Sequence, residues 1–239
     1  MPGYEKVREH DLDDIRELRF TVDGVGEAAP GVVFYPAGEE GLPLVVIQHP
    51  GTSSKDDYFV RDIGMMWARS GWACMGLDAP GHGERADHDP MGVLRDPQRF
   101  AEARRQFSSE LSAAVTALAG ELPVDVSRLG YVGYSMGSML GIPAVAADGR
   151  FRAAAFCLVG LGGRMGVSAD EDSPLRALED VAVRIVGKTG DELFPRDSVQ
   201  ALFDALPSAD KDLAWFPGGH FDIGSDVIGS AREWLALKL

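Results

Sequence analysis

The segment Tyr131-Val132-Gly133-Tyr134-Ser135-Met136-Gly137 sets a serine two residues from a glycine on either side. That spacing is the G-x-S-x-G pattern of a nucleophile elbow. An attacking serine must project its hydroxyl from a tight, strained strand-to-helix turn, and the glycines leave room for that turn against neighbouring backbone. The helix that follows aims backbone N–H groups and its positive end at the same spot. The plainer alternative is a Gly/Ser turn without chemistry. The apolar strand before Ser135 and the Ala-containing helix after it favour the elbow.

Serine is a poor nucleophile until a base takes its proton. Of five histidines, His10 and His88 lie in charged segments and are expected at the surface. His220 ends Trp215-Phe216-Pro217-Gly218-Gly219-His220, a glycine turn after an apolar run, and is the expected base. A helix cap or a surface histidine is the alternative. Asp191, in Gly187-Lys188-Thr189-Gly190-Asp191-Glu192, is the expected acid that orients the base. Glu192 is its rival, Asp197 falls too far into the next helix, and simple helix capping by Asp191 is the alternative role.

Such residues need rigid elements beneath them. Apolar runs at Leu44–Gln48, Ala73–Leu77, Leu129–Gly133, Ala153–Val159, Ala182–Val186 and Asp212–Phe216 read as strands. Helices are expected over Asp56–Arg69, Pro97–Leu122, Met136–Ala147, Arg196–Leu206 and Ile223–Leu237, with Pro195 at a first helical position. Near-continuous apolar strands alternating with helices indicate an α/β class, a mostly parallel sheet covered on both faces. Arg16–Val22 and Gly31–Pro36 read as antiparallel edge strands. The polar segment Gly162–Asp172 is the expected mobile loop.

With serine, acid and histidine in that order on strand ends, the chain from about Val32 onward resembles the α/β-hydrolase superfamily, near its dienelactone-hydrolase-like and small carboxylesterase members. His49-Pro50-Gly51-Thr52-Ser53-Ser54-Lys55-Asp56 looks like the family's loop after the third strand. Asp78-Ala79-Pro80-Gly81-His82-Gly83-Glu84-Arg85 looks like its Asp-x-x-Gly-His-Gly segment. The resemblance implies an oxyanion hole. The Met136 N–H is one donor. Pro50 replaces the usual glycine and has no N–H, so the second donor is Gly51 or Thr52. His49 is expected to tie that loop down, His82 to sit in a turn, and Glu84 and Arg85 to pair nearby. Dienelactone hydrolases carry cysteine where this chain has Ser135, which favours ester chemistry.

The reading is therefore a single domain over 1–239 that hydrolyses a small ester through an acyl-enzyme, without metal or cofactor. Thioesterase, lactonase or other acyl and carbon–carbon hydrolysis on the same residues is the alternative, followed by a non-catalytic binding protein. Residues 160–180 are too few for a large helical cap, so an open site with a modest apolar pocket is expected. Its candidate walls are Tyr134, Leu161, Met165, Leu193, Phe194 and Phe221. A formal net charge of −14 repels polyanions, which argues against nucleic acid and anionic membranes as partners. Met1 to Phe20 lacks the apolar core of a signal peptide and no apolar run could span a bilayer, so a cytoplasmic setting is the expectation. Cys74 and Cys157 read as buried thiols. A homodimer is left open.

Overall fold

The structure, a computed structural model, describes residues 3–86, 89, 91–162, 167 and 173–239. Among these, nine strands form one sheet in the order β1-β2-β3-β5-β4-β6-β7-β8-β9. The parallel part comprises β4 (Leu42–Gln48), β5 (Ala73–Leu77), β6 (Val124–Tyr134), β7 (Phe151–Cys157), β8 (Ala182–Lys188) and β9 (Lys211–Phe216). β1 (Tyr4–Leu12), β2 (Ile15–Asp23) and β3 (Ala28–Pro36) are joined antiparallel, and β3 meets β5 antiparallel. The last two are therefore internal, a correction to their reading as edge strands. β1 forms the edge. Its charged, half-exposed run YEKVREHDL offers no apolar stripe for a sequence reading to find.

β4 and β5 are buried along their whole length, as strands covered on both faces should be. On one face α3 (Pro97–Glu121), α4 (Met136–Ala147) and α5 (Arg196–Ala205) pack Phe107, Leu140 and Leu202 against Tyr131, Phe156 and Ile185. On the other, α1 (Arg61–Ala68) and α6 (Ser225–Lys238) pack Trp67, Ile63 and Trp234 against Val45, Ile47 and Val132. A short helix, α2 (Gly92–Arg95), precedes α3. Asp96 caps α3 by accepting from the Gln98 and Arg99 N–H groups, and Pro97 opens the helix where no N–H is needed.

Several boundaries differ from expectation: β6 begins at Val124, β7 spans Phe151–Cys157 and α6 begins at Ser225. α1 begins at Arg61, so Asp56–Val60 belong to the loop before it. Pro195 is the cap of α5, and the helix starts one residue later. The expected mobile segment falls largely outside the described residues. Leu161 bridges to Val167, and a single 3-10 turn spans Pro174–Leu178.

Candidate active site

Ser135 ends β6 and begins α4 in a backbone conformation of φ 51° and ψ −110°. A positive φ is strained for a side-chain-bearing residue, and the surroundings enforce it. The Ser135 N–H donates to the Cys157 carbonyl at 2.8 Å, tying the elbow to β7. A Cβ on Gly133 would lie 2.5 Å from the carbonyl carbon of Gly137, and one on Gly137 would lie 2.4 Å from the Gln48 carbonyl oxygen. The glycines are needed because backbone passes backbone at both positions. Met136 is the first residue of α4, so its N–H has no acceptor within the helix.

His220 and Asp191 arrive from neighbouring strand ends. The loops after β8 and β9 are laced together: the Thr189 N–H donates to the Phe216 carbonyl and the Gly190 N–H to the Gly218 carbonyl, both at 2.9 Å. Buried Lys188 donates to the Pro217 carbonyl at 3.0 Å and to Asp226 on α6 at 2.7 Å. Ser135 Oγ then lies 2.8 Å from His220 Nε2, and His220 Nδ1 lies 2.9 Å from Asp191 Oδ2. Burial by itself would raise the Asp191 pKa. The His220 hydrogen bond, with the Phe194 and Leu193 N–H groups that donate to Oδ1 at 2.8 Å, outweighs it and holds the carboxyl below its ordinary range. An ionised carboxylate can only accept, so it fixes the imidazole proton on Nδ1 and leaves Nε2 free to accept from the serine. Asp191 thus makes both contacts its sequence context suggested, the turn before α5 and the histidine. Glu192 bonds the His220 backbone N–H at 2.9 Å.

The loop after β4 closes the other side. His49 is fully buried; its Nδ1–H donates to the Pro50 carbonyl at 2.8 Å and its Nε2 accepts from the Ala79 N–H at 3.1 Å. Burial pushes its pKa down, the Pro50 carbonyl pulls the other way, and nearby His82 adds a smaller push down. A neutral ring suits a nitrogen that accepts. His49 therefore ties the loop down, as expected. Asp78 holds the same loop from below. It accepts from the Lys55 N–H at 2.9 Å, from Lys55 Nζ at 3.0 Å and from the Glu84 N–H at 3.0 Å. Glu84 and Arg85 do pair, but with separate partners. Glu84 bonds Lys55, and Arg85 makes a buried two-pronged pair with Glu110 at 2.8 and 2.9 Å. His82 occupies a buried turn, with Nδ1 3.1 Å from the Pro80 carbonyl oxygen.

Ser135 and His220 open into a cavity of about 340 Å³ shared with Gly51, Thr52 and Phe221. Thr52 has a left-handed backbone, φ 63°. The remaining walls differ from expectation. Tyr58, Phe59 and Ile223 line the cavity and were not anticipated from the sequence. Their signal was the pair of adjacent aromatics in an otherwise polar run, which the expected helix over 56–69 obscured. Tyr134 is fully buried beneath Phe59, ring centres 5.3 Å apart. Phe194 is buried behind His220 at 5.7 Å, where it supports the ring without facing the cavity. Leu161 and Leu193 lie off the cavity wall, and Met165 falls outside the described residues. His10 is half-buried on β1, 3.7 Å from Glu17, and His88 is outside the described residues. Cys74 and Cys157 are free and buried, and burial pushes both thiols up. Among the described residues, no three His, Cys, Asp or Glu side chains gather as a metal site requires, and no helix is long and apolar enough to cross a membrane.

No protein-family model matches the sequence, and comparison with curated proteins finds no match. Solved structures do match. A PEG-bound cold-adapted esterase from an Arctic intertidal metagenomic library is 27% identical over 98% of both chains, with a TM-score of 0.83. An acetyl xylan esterase from Thermoanaerobacterium sp. is 16% identical, covering 99% of this chain and 88% of its own, with a TM-score of 0.74. A putative dienelactone hydrolase from Klebsiella pneumoniae is 18% identical over 94% and 99% of the two chains, with a TM-score of 0.67. The mostly parallel sheet, its helices on both faces and these likenesses place the chain in the α/β-hydrolase superfamily.

Proposed function

We propose that the protein is a serine hydrolase that cleaves a small carboxylic ester through an acyl-enzyme. The observation that carries this reading is the unbroken chain from Asp191 through His220 to Ser135, with contacts of 2.9 and 2.8 Å, ending in an open cavity. The 27% identity to a cold-adapted esterase along nearly the whole chain supports it. His220 Nε2 takes the Ser135 proton as Oγ forms a bond to the ester carbonyl carbon. The negative charge that develops on the carbonyl oxygen is met by the N–H groups of Met136 and of Gly51 or Thr52. As the carbon–alkoxy bond breaks, His220 returns the proton to the leaving alcohol. Water then loses a proton to His220, attacks the acyl carbon and releases the acid, and the proton returns to Ser135 Oγ.

Gly51 is the first choice for the second donor, because it occupies the matching position of the loop and lines the cavity beside Ser135. A cytoplasmic setting belongs to the same proposal, and two free buried cysteines are compatible with it. Hydrolysis of p-nitrophenyl acetate tests the reading. Ser135→Ala should retain its fold and lose on the order of a millionfold in kcat. Retained activity in that variant, or none in the wild type toward any simple ester, would refute it.

A further inference from the structure

The cavity wall carries a charge that the hydrolytic chemistry does not use. Asp57 lines the cavity together with Tyr58, Phe59 and Phe221. Nearby acids have basic partners: Asp56 pairs with Arg19 and Lys55, and Asp78 and Glu84, from the segment after β5, share Lys55. Asp57 differs. Among the described residues its side chain accepts only from the Ser53 hydroxyl, at 3.1 Å, and no lysine or arginine lines the cavity. Three aromatic residues line the same cavity. Tyr58 and Phe59 are edge-on to one another at 5.6 Å, and Phe221 is 78% exposed at the rim. A carboxylate without a basic partner in a cavity lined by aromatic residues is an environment that attracts an organic cation, by charge and by cation–π contact together. The chain's net charge of −14 adds a long-range field of the same sign.

We propose that the preferred substrates are esters carrying a quaternary ammonium or similar organic cation, bound by Asp57 and the surrounding rings. This deepens the hydrolase reading and rests on it. An anionic ester would meet Asp57 with nothing to offset the repulsion. Because Asp57 is exposed, solvent screens it, and the preference should be moderate, about tenfold.

Two matched pairs test this by kcat/KM at low ionic strength. One is acetylcholine against its uncharged carbon isostere, neohexyl acetate. The other is the p-nitrophenyl ester of γ-butyrobetaine against the ester in which carbon replaces nitrogen. The cation should be favoured about tenfold in at least one pair. That ratio should shrink toward one at high salt and fall close to one in Asp57→Asn, which keeps the shape and the Ser53 contact. The wild-type salt titration serves as the check should the variant fold poorly. Neutral esters turned over with no preference for the cation in either pair would overturn the proposal, as would a preference that Asp57→Asn leaves intact. If the neutral esters are themselves inert, the hydrolase reading has failed and this proposal falls with it.

Discussion

Glu192 holds the backbone of His220 and leaves its ring alone, its Oε2 accepting from the His220 N–H at 2.9 Å. Its neighbour Asp191 takes the ring, with Oδ2 2.9 Å from Nδ1. Adjacent carboxylates therefore divide the work of placing one histidine, and they should differ sharply on substitution. Asp191→Asn permits the wrong imidazole tautomer and should lower kcat about ten-thousandfold. Glu192→Gln retains an acceptor for the same N–H, giving up only the charge on it, and should lower it by less than about tenfold. Steady-state kinetics on both variants checks this, and the reverse ranking would transfer the orienting role to Glu192.

The glycines flanking Ser135 make a prediction about stability. A methyl at Gly137 would meet the Gln48 carbonyl oxygen at 2.4 Å, and backbone cannot move aside as a flexible side chain can. Gly137→Ala should cost about 2 kcal/mol or more and displace the elbow. Gly229, inside α6 with nothing within 4 Å of an added Cβ, is the control. Gly229→Ala should stabilise by up to about 1 kcal/mol. Urea midpoints of the two variants should move in opposite directions.

How far this site was legible in the sequence follows from where its parts lie. Ser135, Asp191 and His220 each follow an apolar strand with a glycine within two residues, so type and spacing marked them as candidates, and the structure brings the three side chains together. The cavity wall was harder. It was sought at the ends of β6 to β9, where, of the described candidates, only Phe221 lines it, whereas Tyr58 and Phe59 enter from the loop before α1, held by Asp78 and Lys55 through contacts distant in sequence. β1 escaped because an edge strand satisfies its backbone on one side only and needs no continuous apolar run.

His49 links the loop after β4 to pH. Burial brings its pKa down to about 4 from an ordinary 6.5. The unfolded chain therefore binds more protons between those two values. Stability is fully present above about pH 6.5 and falls as the pH drops through the window. Between pH 7 and pH 5 the loss from this one ring should be on the order of 1–2 kcal/mol. His49→Gln, which does not titrate, should be less stable at pH 7 but lose less on acidification. Equal losses in both proteins would remove His49 as the cause.

Cavity size bears on chain length. A volume of about 340 Å³ is at the small end for a ligand site. Each methylene is worth only ~1–3 kcal/mol of discrimination, so the preference should be graded. p-Nitrophenyl esters from acetyl to butyryl should give the highest kcat/KM, with a steady decline toward long chains. A maximum at a long acyl chain would require a larger acyl channel than this cavity.

The central claim is that Ser135 is the nucleophile, and a fluorophosphonate probe tests it most directly. Ser53 is an informative competitor, since its hydroxyl lines the same cavity, whereas Ser138 is buried and already donates to the Gly133 and Cys157 carbonyls. Peptide mass spectrometry after labelling should place one adduct on Ser135, and His220→Ala should suppress it. An adduct on Ser53, Ser54 or Ser138 with Ser135 unmodified, or labelling indifferent to His220, would contradict the account.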